Sequence, residues 1–350
     1  MGFLANYVRN LASLAAFGQP TRPLLFSYYV THRCALACRY CSDGQGRPFK
    51  EDVVEELPTD QAKALITLLR ADGDTLDITG GEPMLRPDLE DLLAHAKRIG
   101  FRTVLNTKGV GLSHRPDVMR LSDVFVLSVD SLNVERLAEI IGGRDAGETP
   151  ASRECDSTAE AEDILTALDW ILANRGYHPT RIVLSVVATP DNLDDVSDVL
   201  ALCVRHRLGF QLSPQIVGTA VHPDLRDNPR FRSLVNDVIA AKSAGAAVVG
   251  VFDYLRSIRD ARPYRCHPLL MPTIRPDGTV NLPCLEQPTH RPDVVAAGGY
   301  RRALSQAGQA AKPPRDCRGK CHIFCHMALS LLQRRPLAAL RELTGWRNHA

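Results

Sequence analysis

An order of strand, loop and helix, repeated about six times across residues 23–244, constrains the fold of this chain more than any other feature. Apolar runs rich in β-branched and aromatic residues at 23–30, 75–79, 101–105, 124–129, 181–188 and 210–213 read as strands. Helical periodicity marks 62–70, 87–99, 134–140, 159–175, 192–206 and 230–244, and a short helix closes at 119–121. Thr59 or Asp60 is the expected cap of the first of these helices. Strands separated by helices run parallel and are joined by crossovers, so the fold class is α/β. A doubly wound sheet and a curved barrel both satisfy the pattern.

The first strand runs into a loop that carries Cys34, Cys38 and Cys41 in the pattern C-x3-C-x2-C. Spacing this tight lets one loop wrap three thiols around a single metal centre, either zinc or an iron–sulfur cluster. Three protein ligands are one short of a closed site. Zinc would then need an open position or a distant fourth ligand, and a four-iron cluster would keep one iron free of protein thiolate. The second strand ends in Gly80-Gly81-Glu82-Pro83. Glycines there admit a ligand close to the backbone, and Glu82 offers a carboxylate to an ammonium group. The third strand ends at Asn106-Thr107-Lys108-Gly109, and the fourth carries Ser128 and Asp130 at its end.

From residue 246 the pattern changes. Residues 247–252 read as a strand with a short helix after it, and a second group of thiols follows: Cys266, Cys284, Cys317, Cys321 and Cys325. Arg275-Pro-Asp-Gly278 is a turn signal between short β-like runs, so a hairpin separates the first two. Cys317, Cys321 and Cys325 recur at i, i+4 and i+8, with Gly319 breaking regularity, which favours a loop followed by a helix. Converging thiols imply a second metal centre, for which a zinc ribbon remains open. His267, His322 and His326 stand beside these thiols and are read as structural.

Eight of the ten cysteines fall in these two groups, which fits metal ligation in a reducing compartment better than a disulfide framework. The solitary Cys155 is a bystander, and Cys203 a small core residue within a helix. Lys and Arg number 42 against 40 acidic residues, so the net charge of +2 gives no case for nucleic acid. No run is apolar enough to span a membrane, and residues 1–20 make a poor secretory signal, so the expected location is cytoplasmic. Apolar residues recur at helical spacing over 3–17 and again over 328–346, where Pro336 divides the run into two pieces. Packing on the protein's own core is the favoured reading of both, with contact to a membrane surface left open. A polar, Gly-containing stretch at 142–163 is either a lid or a surface insertion. The expected organisation is an N-terminal amphipathic helix at 1–20, a core at 21–245 and a cysteine-rich extension at 246–350.

The thiol loop after the first strand, with aromatic Tyr40 directly before Cys41, resembles the signature of the radical S-adenosylmethionine (SAM) superfamily. The Gly80-Gly81-Glu82-Pro83 turn one strand–helix unit later resembles that family's motif for the amino group of SAM. The resemblance implies a partial (β/α)6 TIM barrel in which Cys34, Cys38 and Cys41 hold a four-iron cluster. The free iron would take the amino and carboxylate groups of SAM. Gly80, Gly81 and Glu82 would seat the methionine end, Tyr40 would lie near adenine, and Ser128 and Asp130 near ribose. The family often follows these strand-end residues with Gly, and Ser131 departs from that. The implied reaction is reductive cleavage of SAM to a 5′-deoxyadenosyl radical that abstracts hydrogen from substrate. An electron donor such as flavodoxin or ferredoxin is implied with it. The second thiol group resembles the auxiliary-cluster extensions called SPASM, or the shorter twitch, and five cysteines suit one further 4Fe-4S cluster. A peptide ranks first as substrate, then a sugar or other small metabolite, then a lipid at the membrane surface. The rival reading is a non-catalytic zinc-binding module.

Overall fold

The computed structural model of the chain describes residues 3–42, 46, 48–142, 157–177, 179–308 and 321–339. Helix α1 (Phe3–Phe17) precedes strand β1 (Phe26–Thr31). Then follow α2 (Thr59–Arg70), β2 (Thr75–Gly80), α3 (Leu89–Arg98), β3 (Arg102–Thr107), the short α4 (Asp117–Arg120) and β4 (Val124–Ser128). Two helices, α5 (Val134–Gly142) and α6 (Ser157–Asn174), lead to β5 (Arg181–Ala188), α7 (Leu193–His206) and β6 (Gly209–Pro214). A small hairpin of β7 (Ile216–Val217) and β8 (Ala220–Val221) precedes α8 (Pro223–Arg226), α9 (Pro229–Ser243) and α10 (Phe252–Asp260). A second hairpin, β9 (Thr273–Ile274) and β10 (Val280–Asn281), is followed by α11 (Tyr300–Ala307) and α12 (Phe324–Gln333).

The main sheet has the order β10-β9-β1-β2-β3-β4-β5-β6 and does not close. Strands β1 to β6 are parallel to their neighbours, and β9 lies parallel to β1, so the hairpin of the extension prolongs the core sheet. Alternation along each strand separates two faces. Phe26, Tyr28, Leu76, Ile78, Leu105, Phe125, Leu127, Leu184, Phe210 and Leu212 pack against the helices in one continuous core. Full burial of each contributes about 1.5–3 kcal/mol. On the opposite, inner face Val124, Val126 and Val183 form a separate small cluster with Val104 and Val249. This is a partial barrel with helices outside, an apolar floor inside, and loops at the C-terminal ends of the strands.

Several expectations change. Residues 247–252 do not form a strand: Val248 makes one isolated bridge to Phe210, Gly250 takes φ +93°, and α10 begins at Phe252. Neither Thr59 nor Asp60 caps α2; Pro58 occupies the cap position, and Thr59 Oγ1 instead donates to Asp88 Oδ2 at 2.7 Å. Helix α11 was not expected. The tail helix starts at Phe324 rather than 328 and ends ahead of Pro336. Helix α1 buries a mixed face: Tyr7 packs with Leu24, Leu270 and Ala339, whereas Leu4, Val8 and Phe17 stay exposed. Its amides explain this, since Asn10 bonds the backbone of Thr21 and Arg22, and Asn6 donates to Asp74 at 3.0 Å. Among the described residues no helix is long and apolar enough to cross a membrane. Cys155 and most of the 142–163 stretch lie outside the described residues.

Candidate active site

Strand β1 delivers the three-thiol loop to the C-terminal end of the sheet. Cys34, Cys38 and Cys41 are free thiols there, and Cys41 N donates to Cys38 O at 3.0 Å. Burial pushes the Cys34 thiol up to about 11 and raises that of Cys38, so both stay protonated until a cation replaces the proton. A single tetrahedral zinc, with Zn–S near 2.3 Å, would draw its sulfurs to roughly 4 Å apart. Among the described residues, the set of three ligand atoms lying within 4.8 Å of one another is at Cys284, Glu286 and His326, not in this loop. An open cavity of about 1150 Å³ lies against the loop, with Cys38, Cys41, Lys50, Glu160 and Asp163 in its wall.

The Gly-Gly-Glu turn is fastened to the same loop. Gly81 N donates to Thr31 O and Glu82 N to Arg33 O, both at 2.8 Å. The two glycines are required by this contact with the protein's own backbone. A Cβ at Gly80 would stand 2.2 Å from Thr31 O, and one at Gly81 2.2 Å from Arg33 O. The Glu82 side chain is engaged by protein: it accepts from Thr107 Oγ1 at 2.5 Å, Met84 N at 3.0 Å and Lys108 N at 2.8 Å. Burial raises its carboxyl, and these donors resist the shift. Its carboxylate thus ties the turn to the end of β3, with two bonds on Oε1 and one on Oε2, which leaves about one acceptor position on Oε2.

Asp130, fully buried at the end of β4, accepts from the Tyr40 hydroxyl, from Lys108 Nζ at 2.7 Å and from Val187 N at 2.9 Å. Lys108 Nζ also donates to Tyr40 Oη at 3.2 Å. Burial pulls the Lys108 ammonium down, but Asp130 and Cys38 outweigh it and leave the group raised to about 12. A permanent cation therefore stands beside the thiol loop. Sequence reasoning missed it, because Asn106-Thr107-Lys108-Gly109 looked like a plain strand end. Ser128 faces inward next to Ser185 of β5, within a row of polar residues on the inner face.

In the extension, Cys266, Cys284 and Cys325 are half-buried and Cys321 is buried, and Cys317 lies outside the described residues. The hydroxyl of Tyr264 is raised first by burial and then by Cys266 and Cys321, which places it beside both. Cys325 opens α12, where burial pushes its thiol up to about 12, with Asp77 and Glu286 adding to the effect. Glu286, which sequence reasoning did not single out, sits 3.2 Å from His326 Nε2. Tyr29 on β1 is raised first by burial, then by Glu286, Cys325, Cys41 and Asp77, so it feels one thiol from each group.

A family model described as the Radical SAM superfamily matches residues 28–203. The AdoMet-dependent heme synthase of Nitratidesulfovibrio vulgaris is 29% identical over 189 residues, which is 54% of this chain and 46% of that protein. The PqqA peptide cyclase of Streptomyces rochei is 40% identical over 99 residues, 28% of this chain and 26% of that protein. The chain thus spans about half of the first relative and a quarter of the second. Streptococcus suis SuiB bound to S-adenosylmethionine is 17% identical, with a TM-score of 0.58 over 83% of this chain and 67% of that one. The same protein bound to precursor peptide SuiA gives 16% identity and a TM-score of 0.59 over 89% of this chain and 72% of that one. At such identities the likeness is one of fold.

Proposed function

The chain belongs to the radical SAM superfamily, and from that premise we propose that it is an enzyme that cleaves S-adenosylmethionine reductively and abstracts hydrogen from a peptide. Cys34, Cys38 and Cys41 would hold a 4Fe-4S cluster with one iron open to SAM. When bound, these cofactors supply an electron and a 5′-deoxyadenosyl radical, and the protein's part is to bind, orient and exclude water. Gly80, Gly81 and Glu82 would seat the methionine end, Tyr40 would lie near adenine, and Ser128 and Asp130 near ribose. The rigid Tyr40–Lys108–Asp130 group would keep that pocket in shape and place a cation near the cluster thiolates. We assign the SAM-binding core to 21–245, after the helix at 1–20, and a SPASM- or twitch-like extension to 246–350. In the extension, up to four of Cys266, Cys284, Cys317, Cys321 and Cys325 would hold an auxiliary 4Fe-4S cluster that aids oxidation or bond formation, Cys266 and Cys284 with thiols drawn from the last three. A flavodoxin or ferredoxin would deliver the electron. The peptide reading rests on the resemblance to the PqqA peptide cyclase, and a small metabolite is the second choice.

The observation that carries the proposal is the double backbone clamp between the thiol loop and the Gly-Gly-Glu turn, from Gly81 to Thr31 and from Glu82 to Arg33. It fixes two motifs about fifty residues apart as one cradle. Anaerobic reconstitution with iron and sulfide, followed by SAM and dithionite, tests it. The expected product is 5′-deoxyadenosine. A colourless protein with stoichiometric zinc, or a fully loaded protein that makes no 5′-deoxyadenosine, overturns it.

A further inference from the structure

Every strand from β1 to β6 presents a polar side chain to the inner face: Ser27, Asp77, Asn106, Ser128, Ser185 and Gln211. They lie above the valine floor, where a packed barrel would carry a further layer of branched apolar residues. Ser27 Oγ donates to Asp77 Oδ2 at 3.2 Å, Asn106 Nδ2 donates to Asp77 Oδ1, and Gln211 Nε2 donates to Ser185 Oγ at 3.1 Å. The row continues through the register into the hairpin, from Ser27 to Thr273 and from Thr273 to Asn281. There Thr273 Oγ1 and Asn281 Nδ2 are buried without a hydrogen-bond partner among the described residues. Polar atoms left in this state cost free energy unless a ligand satisfies them.

Asp77 is the sole carboxylate of this row, and it is 9% exposed. Both of its side-chain partners are neutral donors. Among the described residues no Lys, Arg or His pairs with it. Two carboxylate oxygens accept about four hydrogen bonds, so about two positions on Asp77 stay open. A buried acid with neutral neighbours and open lone pairs is completed best by a charged donor.

We propose that Asp77 receives a protonated primary amine of the substrate, while Asn106, Ser185 and Gln211 hydrogen-bond the amides beside it. This deepens the peptide reading and rests on the substrate occupying the inner face. The probes are Nα-acetyl-lysine methylamide and its uncharged norleucine counterpart, titrated by ligand-observed NMR into the reconstituted full chain with SAM and no reductant. The lysine probe is expected to bind about tenfold more tightly than the norleucine probe near neutral pH, as a charge-assisted hydrogen bond requires. Asp77→Asn abolishes that preference, and Gln211→Ala weakens both probes alike. Equal binding of the two probes, or a preference that survives in Asp77→Asn, overturns the amine site. Formation of 5′-deoxyadenosine is read separately. Its absence with the preference intact overturns the SAM chemistry and leaves the amine site standing, and the reverse result does the opposite.

Discussion

Replacing Asp77 by asparagine is expected to stabilise this protein, with a gain that grows with pH. Burial raises the Asp77 carboxyl from 3.8 to about 6, against the pull of its bonds to Asn106 and Ser27. Between those two values the folded chain holds the proton more tightly than the unfolded chain. Stability therefore falls as pH rises through this window and stays low above it. A shift of about two pKa units corresponds to about 3 kcal/mol at full ionisation. Roughly half of that is already lost near pH 5, so the advantage of the variant widens by about 1.4 kcal/mol between about pH 5 and about pH 8. The bonds from Asn106 and Ser27 are already contained in this shift, so the expected gain at the higher pH is about 3 kcal/mol. Urea unfolding of wild type and Asp77→Asn at both pH values measures this. A variant that is less stable at both, or a difference that ignores pH, would show that the acid has a cationic partner or free access to water. The reasoning for an amine site would lose its physical basis with it. Residues kept at a cost to stability are expected where a ligand repays them.

Gly81→Ala forces a Cβ to 2.2 Å from Arg33 O, so the clamp opens; we expect a melting temperature lower by several degrees and poor iron retention, read by thermal unfolding and iron analysis. Lys108→Met leaves Asp130 buried without its cation and costs about 3–5 kcal/mol in urea unfolding, with a more negative midpoint in a redox titration of the cluster. Cys321→Ala lowers iron content by about half, as expected if the second thiol group holds one of two clusters, whereas Cys203→Ala, deep in the helix-covered core, leaves iron unchanged. Unchanged iron in Cys321→Ala would argue against a cluster in the extension.

The strands were legible in the sequence as short apolar runs rich in β-branched and aromatic residues. Leu76 and Ile78 face the helices while Asp77 and Thr79 face inward, and a period of two survives even where the inner face is polar. The two short motifs were visible as stretches, but not the reason for their glycines. Gly80 and Gly81 admit the backbone of Thr31 and Arg33, a contact between distant segments that local spacing cannot reveal. Lys108 was hidden for a similar reason: its partners, Tyr40 and Asp130, are 68 and 22 positions away. Glu286 sits two residues beyond Cys284 and carries no local signal; its partner His326, 40 positions away, is brought to it by α12. In α1 the apolar stripe suggested the buried face, yet Asn6 and Asn10 have specific backbone and carboxylate partners, and those hydrogen bonds rotated the helix away from Leu4 and Val8. The short strand expected at 247–252 failed at Gly250, whose positive φ turns the chain into α10.

The measurement that tests the central claim most directly is the electron paramagnetic resonance spectrum of the reduced, reconstituted protein before and after addition of SAM. A cluster held by Cys34, Cys38 and Cys41 with one accessible iron predicts a signal that changes shape when SAM binds and is lost when those three cysteines are replaced by alanine. A spectrum with no component that responds to SAM, or a SAM-responsive component that persists in the triple variant, would contradict it.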